Sequence, residues 1–238
     1  LDIKHKNNTE IIYNFIRPLK KFPKKHKLII FAGKLNKSKG YNIFGNSIIN
    51  ILDKFPEWSA EVYGNEEREN YTFHHKNLKI KNWISHTDLL KKYEKASIAV
   101  VNPTWDEPFG RTALESSSRG CAVITSISGG LSETFHNNLI LKKNNISQLS
   151  KLLNLLINNN SYLKKIQKKN FKDVIHTPFE SVKKLDALRT ENNFIKGDYS
   201  KNQIRKKYKV LHVANFGYKV DHRLFNISIA NKITHGLI

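Results

Sequence analysis

The chain has 238 residues, with 41 Lys and Arg against 20 Asp and Glu, a formal net charge of +21 and a pI near 9.9. That length holds one ordinary domain and part of another. It contains no apolar run of the ~18 residues a membrane span needs, no secretory apolar region in the opening LDIKHKNNTE, and a single cysteine, which excludes an intrachain disulfide.

Ile11 to Ile16 (IIYNFI) is a strand candidate, closed by Pro18. Residues 18–27, PLKKFPKKHK, are proline-punctuated and basic and read as a linker. Leu28 to Ala32 (LIIFA) is continuously apolar, as in a strand buried on both faces. A loop rich in Gly and Lys follows, Gly33 to Gly40, and then Ile43, Phe44, Ile48, Ile51, Leu52 and Phe55 recur at helical spacing. Ser59–Tyr63 and Leu78–Trp83 predict the next strands. Thr87–Lys95 predicts a short helix with Thr87 as its candidate cap. Ser97–Val101 is a fourth strand, a helix starts near Thr112, and Ala122–Thr125 and Leu139–Leu141 predict a fifth and a sixth strand. From Ile146 the pattern turns helical, in three segments that end near residue 190.

This alternation predicts an α/β fold: a Rossmann-like parallel sheet with helices on both faces. In such sheets ligands bind at the carboxyl ends of the strands, where the loops 102–110 and 127–133 would open. Residues 191–208 read as a second linker. Val210–Ala214 and the segment from Arg223 read as the first strand and helix of a further unit of the same kind, 209–238. Met is absent and both ends look cut, so the expectation is a fragment of a longer polypeptide. Residues 1–17 would then be the remnant of a preceding N-terminal domain, and 18–190 the main domain.

Seven of the basic residues are Arg and the rest are Lys, dispersed along the chain. Dispersed lysines with abundant Asn and Ile argue for coding bias, so nucleic acid is an unlikely main partner. An anionic membrane surface suits diffuse positive charge better. Cys121 heads an apolar run and reads as a buried, inert thiol. A reducing, cytoplasmic setting fits, with peripheral contact at the inner face of the membrane.

The chemistry concentrates in NPTWDEPFGRTALESSSRGCAVITSISGGLSE, residues 102–133. Glu107 falls in a loop and Glu115 in the helix after it, so the two carboxylates can face one pocket and accept hydrogen bonds from sugar hydroxyls. Thr112 to Glu115 also fits a T-x-x-E capping box, in which Glu115 only closes its own helix. Gly110 and the free N–H groups of residues 111–113 make an anion site at the helix start. Glu133 follows Gly129-Gly130, a pair that permits close approach of backbone to a ligand. In the early loop, Lys34, Lys39 and backbone amides can meet phosphate, or can be solvated surface groups. Trp83 suits stacking on a base, although its local pattern favours a core aromatic. The ten histidines show no metal-binding spacing, and one cysteine excludes cysteine clusters.

Three runs together are specific. Glu107-Pro108-Phe109-Gly110-Arg111-Thr112-Ala113-Leu114-Glu115, Gly120-Cys121-Ala122-Val123-Ile124 and Gly129-Gly130-Leu131-Ser132-Glu133, with Gly33-Lys34-Leu35 and Lys39-Gly40 upstream, resemble retaining glycosyltransferases of family 4, the group 1 glycosyltransferases. The resemblance covers residues 11 to 190 and corresponds to the C-terminal, donor-binding half of the GT-B fold. It implies a retaining hexosyltransferase module that uses a nucleoside-diphosphate sugar and no metal or other cofactor. Lys34 and Lys39 would hold the diphosphate, and Phe109, Gly110, Arg111 and Thr112 would assist at the helix start. Glu115 would bind ribose, Glu107 the transferred sugar, and Trp83 and Ile84 would lie by the base. The acceptor, a glycan or lipid-linked saccharide of cell-surface polysaccharide or lipopolysaccharide synthesis, would be held by a missing N-terminal domain, leaving the fragment inactive alone. The family usually has Arg where Lys34 stands, and Lys lacks the bidentate fork. Two other readings remain: a nucleotide-sugar epimerase of the same fold, and a non-enzymatic basic binding module.

Overall fold

Strands that are apolar on both faces cannot leave either face in water, so helices must cover both. The computed structural model describes residues 11–134, 139–174 and 176–191, all within one unit, Leu1–Asn192. The strands are β1 (His26–Ala32), β2 (Ser59–Tyr63), β3 (Leu78–Lys81), β4 (Ala96–Val101), β5 (Ala122–Ser126) and β6 (Ile140–Leu141). They form one sheet in the order β3-β2-β1-β4-β5-β6, and every pairing is parallel. The helices are α1 (Tyr41–Lys54), α2 (His86–Lys95), α3 (Arg111–Ser118), α4 (Ile146–Asn158), α5 (Asn160–Lys172) and α6 (Pro178–Glu191). The fold is the Rossmann-like α/β sheet that the sequence predicts.

The period-two rule divides the core. Ile29, Phe31, Ile98, Val100 and Ile124 face Phe44, Ile48 and Leu52 of α1 and Leu149 and Leu153 of α4. Leu28, Ile30, Ala99 and Val123 face the other way, toward Tyr93 of α2 and Ala113 of α3. The strand order reverses between β1 and β4. Connections leaving their carboxyl ends diverge to opposite faces and open a crevice between them. The two loops that begin there are 33–40 and 102–110.

Several local expectations change. Ile11 to Ile16 is not a strand. Of its apolar residues only Ile16 is buried, while Ile11 and Phe15 stay exposed. Residues 18–25 do not hang free: Phe22 meets Phe171 edge-on at 5.3 Å, and Lys25 Nζ donates to the carbonyls of Tyr93 (2.9 Å) and Arg119 (2.5 Å). β3 ends at Lys81, so Trp83 lies beyond the strand and is 58% exposed rather than a core aromatic. Ser85, not Thr87, caps α2; its Oγ accepts from the Asp88 N–H at 3.1 Å. The expectations for residues 1–10, the second linker after Glu191 and the 209–238 unit lie outside the described residues. No helix among the described residues is long and apolar enough to cross a membrane.

Candidate functional site

The loop after β1 is shaped by two short-range devices. Asn36 accepts from the Lys39 N–H (3.0 Å) and the Ser38 hydroxyl (2.9 Å), winding Lys37–Lys39 into one 3₁₀ turn. Gly40 then takes a left-handed conformation, φ 75°, and hands the chain to α1. A Cβ at Gly40 would lie 2.0 Å from the Asn102 carbonyl oxygen, so only glycine fits.

That contact joins two loops far apart in sequence. The Thr104 N–H donates to the Ser38 carbonyl (2.9 Å) and its hydroxyl to the Lys37 carbonyl (2.9 Å). Asn102 Nδ2 donates to the Gly40 carbonyl (3.2 Å), and Asn144 Nδ2 to the carbonyls of Asn102 and Pro103 (2.9 Å each). The result brings Lys39 Nζ within 2.5 Å of Glu107 Oε2, with the Trp105 ring 4.9 Å below the ammonium. Lys34 stands beside them, exposed, with no acidic partner among the described residues.

These groups edge a crevice of about 270 Å³ at the carboxyl ends of β1 and β4. Lys34, Lys39, Trp83, Glu107, Gly110 and Thr112 all line it. Arg111 and Thr112, at the start of α3, have no intrahelical carbonyl for their N–H groups. The Ala113 N–H is already bonded to the Gly110 carbonyl (2.9 Å), which narrows the expected amide site to two donors. The early loop also offers fewer amides than its composition suggests. Those of Gly33, Lys37, Lys39 and Gly40 are taken by Tyr63, Glu69, Asn36 and Lys37. What it presents is chiefly two ammonium groups.

Six other expected residues stand behind this front. Glu115 is 6% exposed and does not close its helix as a capping box would, because Gly110 is the N-cap and has no side-chain cap. Its Oε1 meets His86 Nε2 at 2.9 Å and Arg111 at 3.2 Å, while Oε2 has no hydrogen-bond partner among the described residues. Ile84 packs into the α2–α3 core. Phe109 stacks on Tyr13 (5.6 Å) and meets His176 at 5.5 Å. Gly129 and Gly130 serve backbone rather than ligand: a Cβ on either would fall 2.4 Å from the carbonyl oxygen of Glu107 or Pro108, and the Gly130 N–H donates to the Glu107 carbonyl at 2.8 Å. Glu133 accepts from the Tyr13 hydroxyl, and this contact raises the Tyr13 pKa.

Sequence reasoning missed His86, Trp105 and the Asn102–Asn144 pair. His86 lies 29 positions from Glu115. No short-range pattern announces such a partner.

The sheet and its crevice define a class: a Rossmann-like α/β unit whose crevice lies at the switch point between β1 and β4, where sheets of this kind take ligands. Its family follows from comparison. The family model for glycosyl transferases group 1 matches residues 13–173, and the chain belongs to that family. It is 29% identical over 155 residues to an uncharacterized glycosyltransferase of Haemophilus influenzae, covering 61% of this chain and 44% of that one. It is 26% identical over 117 residues to spore coat protein SA of Bacillus subtilis, covering 44% and 31%. The chain thus spans less than half the length of these curated relatives. Among solved structures, the C-terminal domain of the group 1 glycosyltransferase LpcC of Francisella tularensis superposes with TM-score 0.54 at 23% identity, covering 63% of this chain and 85% of that one. TarM of S. aureus gives 0.62 at 16%, covering 74% and 38%. Anabaena HepE, solved with UDP-glucose, gives 0.56 at 16%, covering 68% and 49%. These likenesses show the fold, that of one half of a GT-B glycosyltransferase.

Proposed function

We propose that the crevice binds a nucleoside-diphosphate sugar and that the chain is the donor half of a retaining hexosyltransferase of cell-surface glycan synthesis. The observation that carries this is the meeting of Lys39 and Glu107 at 2.5 Å from two loops of the switch point, with Lys34 beside them and without an acidic partner among the described residues. Transfer breaks the bond between the anomeric carbon and the diphosphate and leaves negative charge on the departing group. Two ammonium groups placed in advance offset that charge without reorganisation. Lys39 has three donors, so it can hold Glu107 and a phosphate oxygen at once. Glu107 then faces the sugar hydroxyls, and the amides of Arg111 and Thr112 face the phosphate. Glu115, clamped on one oxygen by His86 and Arg111, keeps the other for ribose hydroxyls. Exposed Trp83 supplies a surface for the base. HepE, with UDP-glucose bound, favours the same class of donor.

In this reading the acceptor is a glycan or lipid-linked saccharide held by a second, N-terminal domain of the same fold. The 238-residue chain therefore binds donor and transfers nothing by itself. Thermal shift against UDP, GDP and ADP tests the proposal, because a ligand specific to the folded form raises its stability. One of the three should raise Tm in the native chain and fail to do so in Lys39→Gln. No response to any of them, or an equal response in the variant, overturns the donor reading. Measurable sugar transfer by the chain alone overturns the division of labour.

A further inference from the structure

The edge of the sheet opposite the crevice carries its own chemistry. α5 runs past the amino ends of three strands. Its Leu163 and Lys164 border a cleft with His26 and Lys27 at the start of β1. Further along, Gln167 Nε2 donates to the Ser97 carbonyl in β4 (3.0 Å) and Asn170 Nδ2 to the Cys121 carbonyl before β5 (2.8 Å). These buried residues fix which side of α5 faces inward. The outer side follows from the 3.6-residue period: Lys164, Lys165, Lys168, Lys169 and Lys172 fall on one stripe, and all five are exposed.

The segment 18–25 extends this stripe. Phe22 packs edge-on against Phe171 of α5, and Lys25 ties the segment to the carbonyls of Tyr93 and Arg119. Lys20, Lys21 and Lys24 therefore stand exposed beside the end of α5, around a Phe22 that is itself 39% exposed. Neither segment contains an Asp or Glu. Together they hold nine lysines in 21 residues, where the whole chain holds 34 in 238. That is a threefold local enrichment: lysines that read as dispersed along the sequence gather here because the fold brings the two segments together.

We infer that this amino-edge face docks on an anionic lipid surface. The assignment is independent of the donor site. Lysine ammonium groups on flexible stems suit a diffuse headgroup layer, whereas planar phosphate recognition favours arginine. An exposed aromatic ringed by lysines matches the composition of interfacial contacts. The neighbouring cleft is not a headgroup pocket, because Glu57 lies in it and pairs with Lys27 at 3.3 Å. The contact is the stripe itself. Strands of five to seven residues separate it from the crevice, so a docked molecule turns the crevice away from the bilayer, roughly 20 Å above it at ~3.3 Å per residue.

Co-sedimentation of the full 238-residue chain with phosphatidylcholine vesicles, with and without phosphatidylglycerol, tests this. Two variants of equal net charge separate the stripe from bulk charge. One is K164Q/K165Q/K168Q/K169Q/K172Q. The other is K76Q/K79Q/K81Q/K91Q/K95Q, whose lysines are exposed on the β3 edge and α2. The native chain should bind only the anionic vesicles and release in high salt. At about fivefold per lysine, the first variant should lose more than about a hundredfold in partitioning, and the second much less. Circular dichroism confirms that both remain folded. Equal loss in the two variants, no binding to anionic vesicles, or stripe-dependent binding of RNA in its place overturns the inference.

Discussion

The two edges of the sheet solve opposite problems. At the amino edge, Gln167, Asn170 and Lys25 donate to strand and helix-end carbonyls, and Gln167, Asn170 and Cys121 are buried beneath the exposed lysines of α5. Burial pushes the Cys121 thiol up to about 11 and pulls Lys25 below the usual lysine range. At the carboxyl edge the protein satisfies the backbone of two loops and leaves side chains over. Lys34 lacks an acidic partner among the described residues, and Trp83 lies open. The contrast teaches two ways of satisfying backbone. At one edge helix side chains bond the strand carbonyls and only the outer lysines are left to solvent; at the other the loops bond each other and leave Trp83 and the lysines of the crevice over.

Substitutions can break this contrast, and the largest effect should come where the two loops touch. Gly40→Val adds a Cβ at a left-handed residue already packed on the Asn102 carbonyl. It should cost about 3 kcal/mol or more and abolish any nucleotide-dependent rise in Tm. Urea denaturation read alongside thermal shift measures both. Next comes the opposite edge. Asn170→Leu strands the Cys121 carbonyl and should cost about 1–3 kcal/mol, while the nucleotide response keeps its size. Loss of that response would mean the edges are coupled.

Lys39→Gln should separate the two quantities in reverse. Its pair with Glu107 is partly exposed, so stability should change by no more than about 1 kcal/mol. Nucleoside-diphosphate affinity by calorimetry should fall at least about tenfold, the loss of one charge-assisted contact. The smallest effect concerns pH. Hydrogen bonds from the Arg68 guanidinium hold Glu66 down to about 2, against an ordinary 4.5. A depressed acid stabilises the fold fully above its unfolded pKa, and that contribution fades as pH falls from about 4.5 toward 2. Glu66→Gln should lower Tm slightly at neutral pH and converge with the native chain near pH 2. Parallel Tm curves for the two proteins across that range would contradict this.

Much of the fold was legible because buried parallel strands announce themselves as unbroken apolar runs. Ser59–Tyr63 falls where the sequence puts it, and Leu28–Ala32 gains only His26 and Lys27. IIYNFI misleads because apolar content does not supply a sheet neighbour. Its Tyr13 spends its ring on Phe109 and His176 instead. Trp83 misleads in the other direction: β3 is an edge strand that stops short, so an aromatic placed after it has no core to enter. At the crevice, sequence could name Lys39 and Glu107 but not the distance between them. That distance depends on Asn102, Thr104 and Asn144, polar residues whose partners are tertiary and leave no periodic trace.

The bonding of Thr104 to Ser38 and Lys37, and of Asn102 to Gly40, has a practical corollary. Each segment satisfies polar groups of the other, so transplanting one of them from a homologue would import a mismatched half. Anyone seeking to retune what this molecule accepts should exchange 33–40 and 102–110 as a single cassette, with Asn144 carried along as its rivet.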